Sequence, residues 1–100
     1  MKTLRDPKRK PTHPGELLRE DILPSLNMTQ TEFAKRLGVS RLSVSELLLE
    51  KRALSADMAV RVGRLTNTTP ESWLRMQEAL ELWVLVRDPK RYLHIEPIAA

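Results

Sequence analysis

The sequence predicts a single domain of the all-α class. Aromatic residues make up only 4% of the chain, there are three glycines, and runs of β-branched residues are few, all of which disfavour a β-sandwich or barrel. A length of 100 residues is enough for one hydrophobic core and too short for two. The chain has no cysteine, which excludes disulfides and thiolate chemistry, and no apolar run of the roughly 20 residues that a membrane span needs. We therefore expect a cytoplasmic protein with one packed core.

Positive charge is concentrated in two segments. Residues 1–12 carry five basic residues and one acidic residue, and residues 35–64 carry seven basic and three acidic residues, in a chain whose formal net charge is +4. Because residues 1–12 have almost no apolar side chains, we predict that they form a mobile basic arm. A basic arm and a basic central segment are typical of proteins that bind nucleic acid, although an ordinary solvated surface would give the same modest excess.

The first predicted helix covers residues 14–23. Pro14 suits the first turn of a helix, Thr12 or His13 is placed to cap it, and Pro24 ends the run. The apolar face of this helix consists of Leu17, Leu18 and Ile22.

The second predicted helix is introduced by a capping box, Thr29-Gln30-Thr31-Glu32. In such a box the Thr29 hydroxyl caps the amide of Glu32, and the Glu32 side chain reaches back. Gly38 follows at the position where a helix end needs a positive φ. The residues that this helix buries are Phe33, Ala34 and Leu37.

The third predicted helix covers residues 41–49 and is capped by Ser40. Its periodicity separates a buried face from an exposed one. The buried face consists of Val44, Leu47 and Leu48, and the exposed face of Arg41, Leu42, Ser45 and Glu46.

Two further helices are predicted in the second half of the chain. The fourth covers residues 56–65 after the cap Ser55, and the fifth covers residues 70–86 after Thr69-Pro70, a cap followed by proline at the first helical position. The fourth helix is expected to bury Met58, Ala59, Val62 and Leu65 and to leave Arg61 and Arg64 in solvent.

The end of the fifth helix carries more apolar surface than one small core covers. We predict that this surface, formed by Leu82, Leu85 and Val86, is buried in a homodimer. Trp73 and Trp83 are interpreted as structural, because large aromatic rings dominate the energetics of buried surfaces. Residues 87–100 form a C-terminal extension, in which Tyr92-Leu93-His94-Ile95 is strand-like in residue type.

The second and third helices together have the spacing of a helix-turn-helix over residues 29–49. Ala34 permits a close approach of the two helices, Gly38 supplies the positive φ of the turn, and Val44 anchors the next helix by one face while the other face is offered to a groove. A plain helical hairpin inside an interaction domain is the alternative that the spacing leaves open.

Five motifs in residues 13–86 are shared with one known family. They are His13-Pro14-Gly15-Glu16-Leu17-Leu18-Arg19-Glu20, Thr29-Gln30-Thr31-Glu32-Phe33-Ala34 with Leu37-Gly38-Val39-Ser40, Val44-Ser45-Glu46-Leu47-Leu48, Leu54-Ser55-Ala56-Asp57-Met58-Ala59-Val60-Arg61 and Thr69-Pro70-Glu71-Ser72-Trp73-Leu74-Arg75-Met76-Gln77. On these motifs the chain resembles the HigA-type antitoxins, in the XRE and phage-repressor-like class of helix-turn-helix proteins. The resemblance implies a five-helix, lambda-repressor-like domain. It also implies a dimeric autorepressor that neutralises a RelE/HigB-like mRNA-cleaving toxin encoded beside it.

Three side chains of the third helix are the candidates for reading bases. The Arg41 guanidinium can donate two hydrogen bonds to guanine, Leu42 offers an apolar contact to a thymine methyl group, and Ser45 offers a hydrogen bond to a base edge. The candidates for phosphate contacts lie at helix N-termini and on a basic flank, and they are Gln30, Ser40, Ser43, Lys51 and Arg52.

The chain departs from the family pattern directly after the third helix. Where the family usually has Asn-Gly, this chain has Leu49-Glu50. Either the third helix is longer here or Glu50 takes a strained positive φ. A carboxylate at this position would also repel DNA.

No constellation for catalysis or metal binding is visible in the sequence. His13 and His94 lie far apart without spaced partners, and there is no catalytic triad, glycine-rich phosphate loop or suitably spaced carboxylate pair. We expect a non-enzyme without metal or cofactor, whose partners are operator DNA, a cognate toxin and a second copy of the chain. The alternatives are a freestanding transcriptional regulator and an interaction module that has lost DNA binding.

Overall fold

The computed structural model describes residues 8–99, so the prediction of a mobile arm falls, for residues 1–7, outside the described residues. Within them the chain forms five helices, a short 3-10 turn and no strand, which confirms the all-α class. The helices are α1 (residues 14–26), α2 (Gln30–Leu37), α3 (Arg41–Leu48), α4 (Ala56–Thr66) and α5 (Pro70–Val86), and the 3-10 turn is Pro89–Tyr92.

Helix α1 differs from the prediction at its C-terminal end. It continues through Pro24 as far as Leu26, so the prediction that Pro24 ends the helix is wrong. The reason is a π-turn over Leu18–Ile22, in which the N–H of Leu23 donates to the carbonyl of Leu18, five residues back. Pro24 then lies in the first turn of the last α-helical segment, where a residue without an N–H is tolerated.

The N-terminus of α1 explains why histidine, proline and glycine follow one another there. The ring Nδ1 of His13 accepts a hydrogen bond of 2.8 Å from the N–H of Gly15, so His13 and not Thr12 is the cap. Gly15 packs directly against the backbone carbonyl of Leu47, and a Cβ atom at this position would overlap that carbonyl. Only glycine allows α1 to approach α3 so closely.

One hydrophobic core joins the five helices. It contains the predicted faces of α2 and α3, most of the predicted face of α4, and residues from α1, α5 and the loop between α3 and α4. Leu17, Ile22 and Leu65, which were predicted to be buried, are only partly buried against this core. Its buried members are Leu18, Leu23, Phe33, Ala34, Leu37, Val44, Leu47, Leu48, Leu54, Met58, Ala59, Val62 and Trp73. Leu18 and Leu23 both reach the core although they are five residues apart, because the π-turn between them has more residues than an α-turn.

The loop between α3 and α4 is attached to α5 by one buried polar side chain. The Gln77 Oε1 atom accepts a hydrogen bond of 2.8 Å from the N–H of Leu54, and its Nε2 atom donates to a Glu81 carboxylate oxygen at 3.0 Å. Gln77 is only 5% exposed. A buried N–H group without a partner costs about 1–3 kcal/mol, so Gln77 fixes the entry into α4.

The C-terminal extension does not form the strand that its residue types suggested. Pro89–Tyr92 is a 3-10 turn, and the chain beyond it is irregular and exposed as far as Ile98. A strand needs a neighbour for its backbone hydrogen bonds, and residues 8–99 offer none. Among residues 8–99, no helix combines the length and apolar character needed to cross a membrane.

Candidate nucleic-acid interface

The turn between α2 and α3 has the predicted geometry. Gly38 has φ 75°, and its N–H donates to the carbonyl of Ala34 at 2.9 Å. The N–H of Val39 donates to the same carbonyl at 3.1 Å, which completes a hydrogen-bonded helix end. α2 and α3 therefore form a helix-turn-helix whose second helix is buried on one face, as predicted.

The start of α2 confirms half of the predicted capping box. The Thr29 hydroxyl accepts from the N–H of Glu32 at 3.1 Å. The Glu32 carboxylate does not complete the box; it accepts a hydrogen bond of 2.7 Å from Nε of Arg36, one turn further along. This hydrogen bond, and then the charge of Arg36, lowers the pKa of Glu32.

The two serines at the start of α3 are hydrogen-bonded to each other. The Ser40 hydroxyl accepts from the N–H of Ser43 at 3.0 Å, and the two hydroxyl oxygens are 2.9 Å apart. The structure thus brings together two of the predicted phosphate contacts and uses both in the helix cap. Gln30 is half-buried at the start of α2, and whether these three residues contact phosphate stays a prediction.

The predicted base-reading residues lie on the open side of α3. Leu42 is 66% exposed, Arg41 is exposed and Ser45 is half-buried. Within residues 8–99 the Arg41 guanidinium makes no hydrogen bond or ion pair, so all five of its N–H groups are free to donate to a ligand. An apolar side chain and an unpaired arginine thus occupy consecutive exposed positions.

Both carboxylates near the end of α3 are paired with arginine. A Glu46 carboxylate oxygen lies 2.8 Å from Nη2 of Arg52, and a Glu50 carboxylate oxygen lies 3.2 Å from Nη1 of Arg19. The predicted repulsion of DNA by Glu50 is therefore reduced, because its charge is balanced within the protein. Arg52, a predicted phosphate contact, is used in such a pair, whereas Lys51 has no partner among the described residues.

The sequence left open whether the third helix is longer or Glu50 takes a strained positive φ, and the structure shows the positive φ. α3 ends at Leu48, and Glu50 follows with φ 63°. Its N–H donates to the carbonyl of Leu47 at 3.0 Å, and the N–H of Lys51 donates to the carbonyl of Glu46 at 2.9 Å. The left-handed turn that the family pattern makes with Asn-Gly is thus preserved with a glutamate.

Sequence reasoning missed the roles of Arg19 and Arg61. Nη1 of Arg19 donates to the carbonyl of Leu48 at 2.6 Å, and Nη1 of Arg61 donates to the carbonyl of Leu37 at 2.8 Å. Arg64 is exposed as expected, whereas Arg61, which was also expected in solvent, is only partly exposed. One signal was available: the last carbonyls of every helix lack an intrahelical partner, and arginines elsewhere in the chain are suitable donors.

The predicted dimer surface is an exposed face on the last turns of α5. Leu82 and Val86 are 62% and 68% exposed, and Leu85 is half-buried between them. These positions follow one another at i, i+3 and i+4, so they share one side of the helix. Trp83 lies on the adjacent side, where the Arg87 guanidinium is 3.9 Å from the centre of its ring. Burial of the three aliphatic residues by a second copy stays a prediction.

Comparison with protein families matches residues 18–74 to the helix-turn-helix family model HTH_3. An Escherichia coli (strain K12) relative, described as an uncharacterized HTH-type transcriptional regulator, YbaQ, is 41% identical over 75 residues, 75% of this chain. The match covers 66% of that relative, so this chain spans just under two thirds of its length.

Two further comparisons name an antitoxin. Antitoxin HigA-1 of Vibrio cholerae serotype O1 is 35% identical over 80 residues, which is 80% of this chain and 75% of that protein. A solved structure described as Pseudomonas aeruginosa antitoxin HigA with the higBA promoter has a TM-score of 0.79 and 35% identity, and covers 89% of this chain and 99% of that one.

Proposed function

Because this chain belongs to the HTH_3 helix-turn-helix family, we propose that it is the antitoxin of a type II toxin–antitoxin pair and represses its own operon. The family consists of DNA-binding proteins, and the chain is not an enzyme. The observation that carries the proposal is the exposed side of α3, where Arg41 is unpaired and Leu42 is exposed, while the carboxylates of Glu46 and Glu50 are each paired with an arginine.

α3 would enter the major groove with its N-terminal end foremost. Arg41 reads a guanine through O6 and N7, Leu42 contacts a thymine methyl group, and Ser45 hydrogen-bonds to a neighbouring base edge. An arginine without a partner inside the protein loses no ion pair on binding, which favours it over Arg52 as the base reader.

Phosphate contacts would fix the position of α3 in the groove. Gln30, Ser40 and Ser43 lie at the starts of α2 and α3, where N–H groups and the helix dipole attract anions. Lys51 and Arg52 add positive charge beyond the other end of α3. Such contacts set affinity and its salt dependence, while the base contacts set specificity.

A homodimer through Leu82, Leu85 and Val86 would place two α3 helices on one DNA duplex. Each α3 alone reaches only a few base pairs, and a two-fold dimer reads two half-sites about 34 Å apart. The proposed dimer also covers an apolar face that a monomer leaves in water.

Direct binding of a RelE/HigB-like toxin completes the proposal. Support for the toxin comes from one relative and a solved structure that carry the name antitoxin. A protein that binds an operator works where the DNA is, so the proposed function also implies a cytoplasmic location.

The test is co-expression with the product of the adjacent reading frame, co-purification, and titration of the complex and the free chain against the upstream DNA at two salt concentrations. A stable complex together with salt-dependent DNA binding is the expected result. DNA binding without a protein partner would instead identify a freestanding regulator. A partner without DNA binding would identify an interaction module.

A further inference from the structure

Arg19 and Arg61 make the same pair of contacts at two different places. Nε of Arg19 lies 2.8 Å from the Glu20 carboxylate, and Nε of Arg61 lies 2.8 Å from the Asp57 carboxylate, so each arginine is held by an acid of its own helix. The Nη1 atom of each then donates to a carbonyl in the last turn of a helix-turn-helix element. Arg19 reaches Leu48 at the end of α3, and Arg61 reaches Leu37 at the end of α2.

Both arginines come from outside the helix-turn-helix. Arg19 lies in the π-turn of α1, and Arg61 lies in the middle of α4. Each of the two helices that form the motif therefore has its C-terminal end tied to a separate helix of the scaffold. The Nη1 atom of Arg61 also lies 3.4 Å from the carbonyl of Gly38, in the turn itself.

The chemistry of these contacts is suited to fixing the orientation of the two helix ends. The last carbonyls of a helix have no partner within it and carry partial negative charge, so a guanidinium there is favourable. Arginine is planar, and its Nε and Nη donors have a fixed mutual orientation. When Nε is hydrogen-bonded to a carboxylate of its own helix, the direction in which Nη1 can donate is therefore fixed.

The two side chains are only partly accessible. Relative exposure is 35% for the side chain of Arg19 and 39% for that of Arg61. Two donor atoms of each guanidinium are already engaged inside the protein. This separates them from Arg41, Arg64 and Lys51, which have no partner among residues 8–99.

We infer that Arg19 and Arg61 are positioning residues for DNA binding, which hold the ends of α3 and α2 at the angle that the groove requires. The inference rests on the proposed operator binding and adds two residues that need not touch DNA. Arg19 also forms an ion pair at the same place, because its Nη1 atom lies 3.2 Å from a Glu50 carboxylate oxygen. This ion pair holds the Glu50 carboxylate against the protein surface.

The test replaces each arginine by lysine, which keeps the charge and loses the planar fork. In Arg19→Lys and Arg61→Lys, one ammonium group cannot hold the carboxylate and the carbonyl in the same geometry. We expect affinity for the upstream DNA to fall about tenfold in each variant, the effect of one charge-assisted hydrogen bond. The slope of log K against log salt should stay unchanged, because the number of phosphate contacts is the same.

Arg64→Lys is the matched control, since it makes the same replacement on α4 at an exposed residue without a partner. It should bind like the wild type. Wild-type affinity in both test variants would overturn the inference. In Arg19→Gln and Arg61→Gln, which lose the charge, a smaller salt slope would identify these arginines as direct phosphate contacts and overturn the inference as well.

Two milder variants keep the test decisive if a lysine variant does not fold. Glu20→Gln and Asp57→Asn remove only the carboxylate that grips each Nε, and these acids have 66% and 73% exposed side chains. A drop in affinity of about twofold to fivefold is expected, as for an exposed ion pair. Full retention of affinity in both would contradict the inference.

Amide hydrogen exchange separates this inference from the proposed function. Without DNA, exchange at the N–H groups of Glu50 and Lys51 should be faster in Arg19→Lys than in the wild type, because these groups close the end of α3. Unchanged exchange overturns the positioning role of Arg19. If exchange is faster in Arg19→Lys but the wild type binds no DNA, only the proposed operator binding is rejected.

Discussion

Arg41 and Leu42 lie next to each other at the exposed start of α3, and their side chains differ in chemistry. Arg41 supplies unpaired hydrogen-bond donors, and Leu42 supplies an apolar surface that is 66% exposed. Single exposed leucines are ordinary on protein surfaces, so Leu42 is informative only through its neighbour. In the proposed function, base reading depends on which arginines of this surface are already paired within the protein and which are unpaired.

Arg41→Gln should weaken binding to the specific DNA by about 1–3 kcal/mol and relax the preference for guanine at one position of each half-site. The measurement is a titration against the upstream DNA and against variants of it at each position. Lys51→Gln is the comparison, because loss of a phosphate contact should weaken binding to all sequences alike. Equal losses on specific and unrelated DNA in Arg41→Gln would remove Arg41 from base reading.

Glu50→Gly should stabilise the protein by up to about 1 kcal/mol. Glycine adopts the φ of 63° without the steric cost that a Cβ atom brings, and the lost pair with Arg19 is partly exposed and weak. Thermal unfolding should show an increase in Tm of a few degrees. Glu50→Ala separates the two effects, because it loses the carboxylate and keeps the strained backbone. If Glu50→Ala proves more stable than Glu50→Gly, the turn is not strained.

Among the structural elements, periodicity and caps predicted all five helices of the described residues, and the features that they did not predict have specific causes. The buried faces of α2 and α3 follow from residues spaced by three and four, and the cap Ser40 and the turn residue Gly38 follow from local chemistry. The π-turn did not follow, because a proline preceded by an ordinary helical pattern is normally a stop signal. The contacts of Arg19 and Arg61 join residues 29 and 24 positions apart, and no local pattern reports such pairs.

Helix α2 should lose part of its stabilisation in acid through Glu32. The hydrogen bond from Arg36 lowers the pKa of Glu32 below its ordinary value of 4.5. A lowered pKa in the folded state means that the contribution is present above the unfolded pKa and is lost as pH falls through the folded one. In Arg36→Gln the Glu32 pKa, measured by NMR titration, should rise towards 4.5, and the stability difference from wild type should shrink below that pH.

Lys35→Gln is the control for this titration, since Lys35 contributes the smallest of the effects on Glu32. It should leave most of the lowering in place. If both variants shift the Glu32 pKa equally, general charge and not the hydrogen bond with Arg36 is responsible.

In the molecule as a whole, the proposed sites for DNA and for a second copy lie on different helices. The residues proposed to contact DNA are on α2, α3 and the loop that follows, and the exposed apolar face is on the last turns of α5. The core connects them, so dimerisation can be changed without altering the surface of α3. The sequence predicted this division because excess apolar surface at one helix end is visible without tertiary information, whereas the position of the partner is not.

Leu82→Glu combined with Val86→Glu should convert the proposed dimer to a monomer. Both side chains are exposed, so the charges are tolerated in a monomer and strongly disfavoured inside an apolar interface. Analytical ultracentrifugation measures the change, and the loss of one half-site contact should weaken DNA binding in parallel. Leu93→Glu, at a residue 74% exposed outside α5, is the control and should leave the association unchanged. An unchanged dimer in the double variant would place the interface elsewhere.

The tethers formed by Arg19 and Arg61 also bear on how long the folded state lasts. Most contacts in a helical domain are local and form early, but these two require long loops to be closed first. Interactions that form after the transition state slow unfolding and leave the folding rate almost unchanged. Arg19 and Arg61 would therefore act mainly by lowering the unfolding rate. A lower unfolding rate lengthens the lifetime of the folded protein and reduces its exposure to proteolysis.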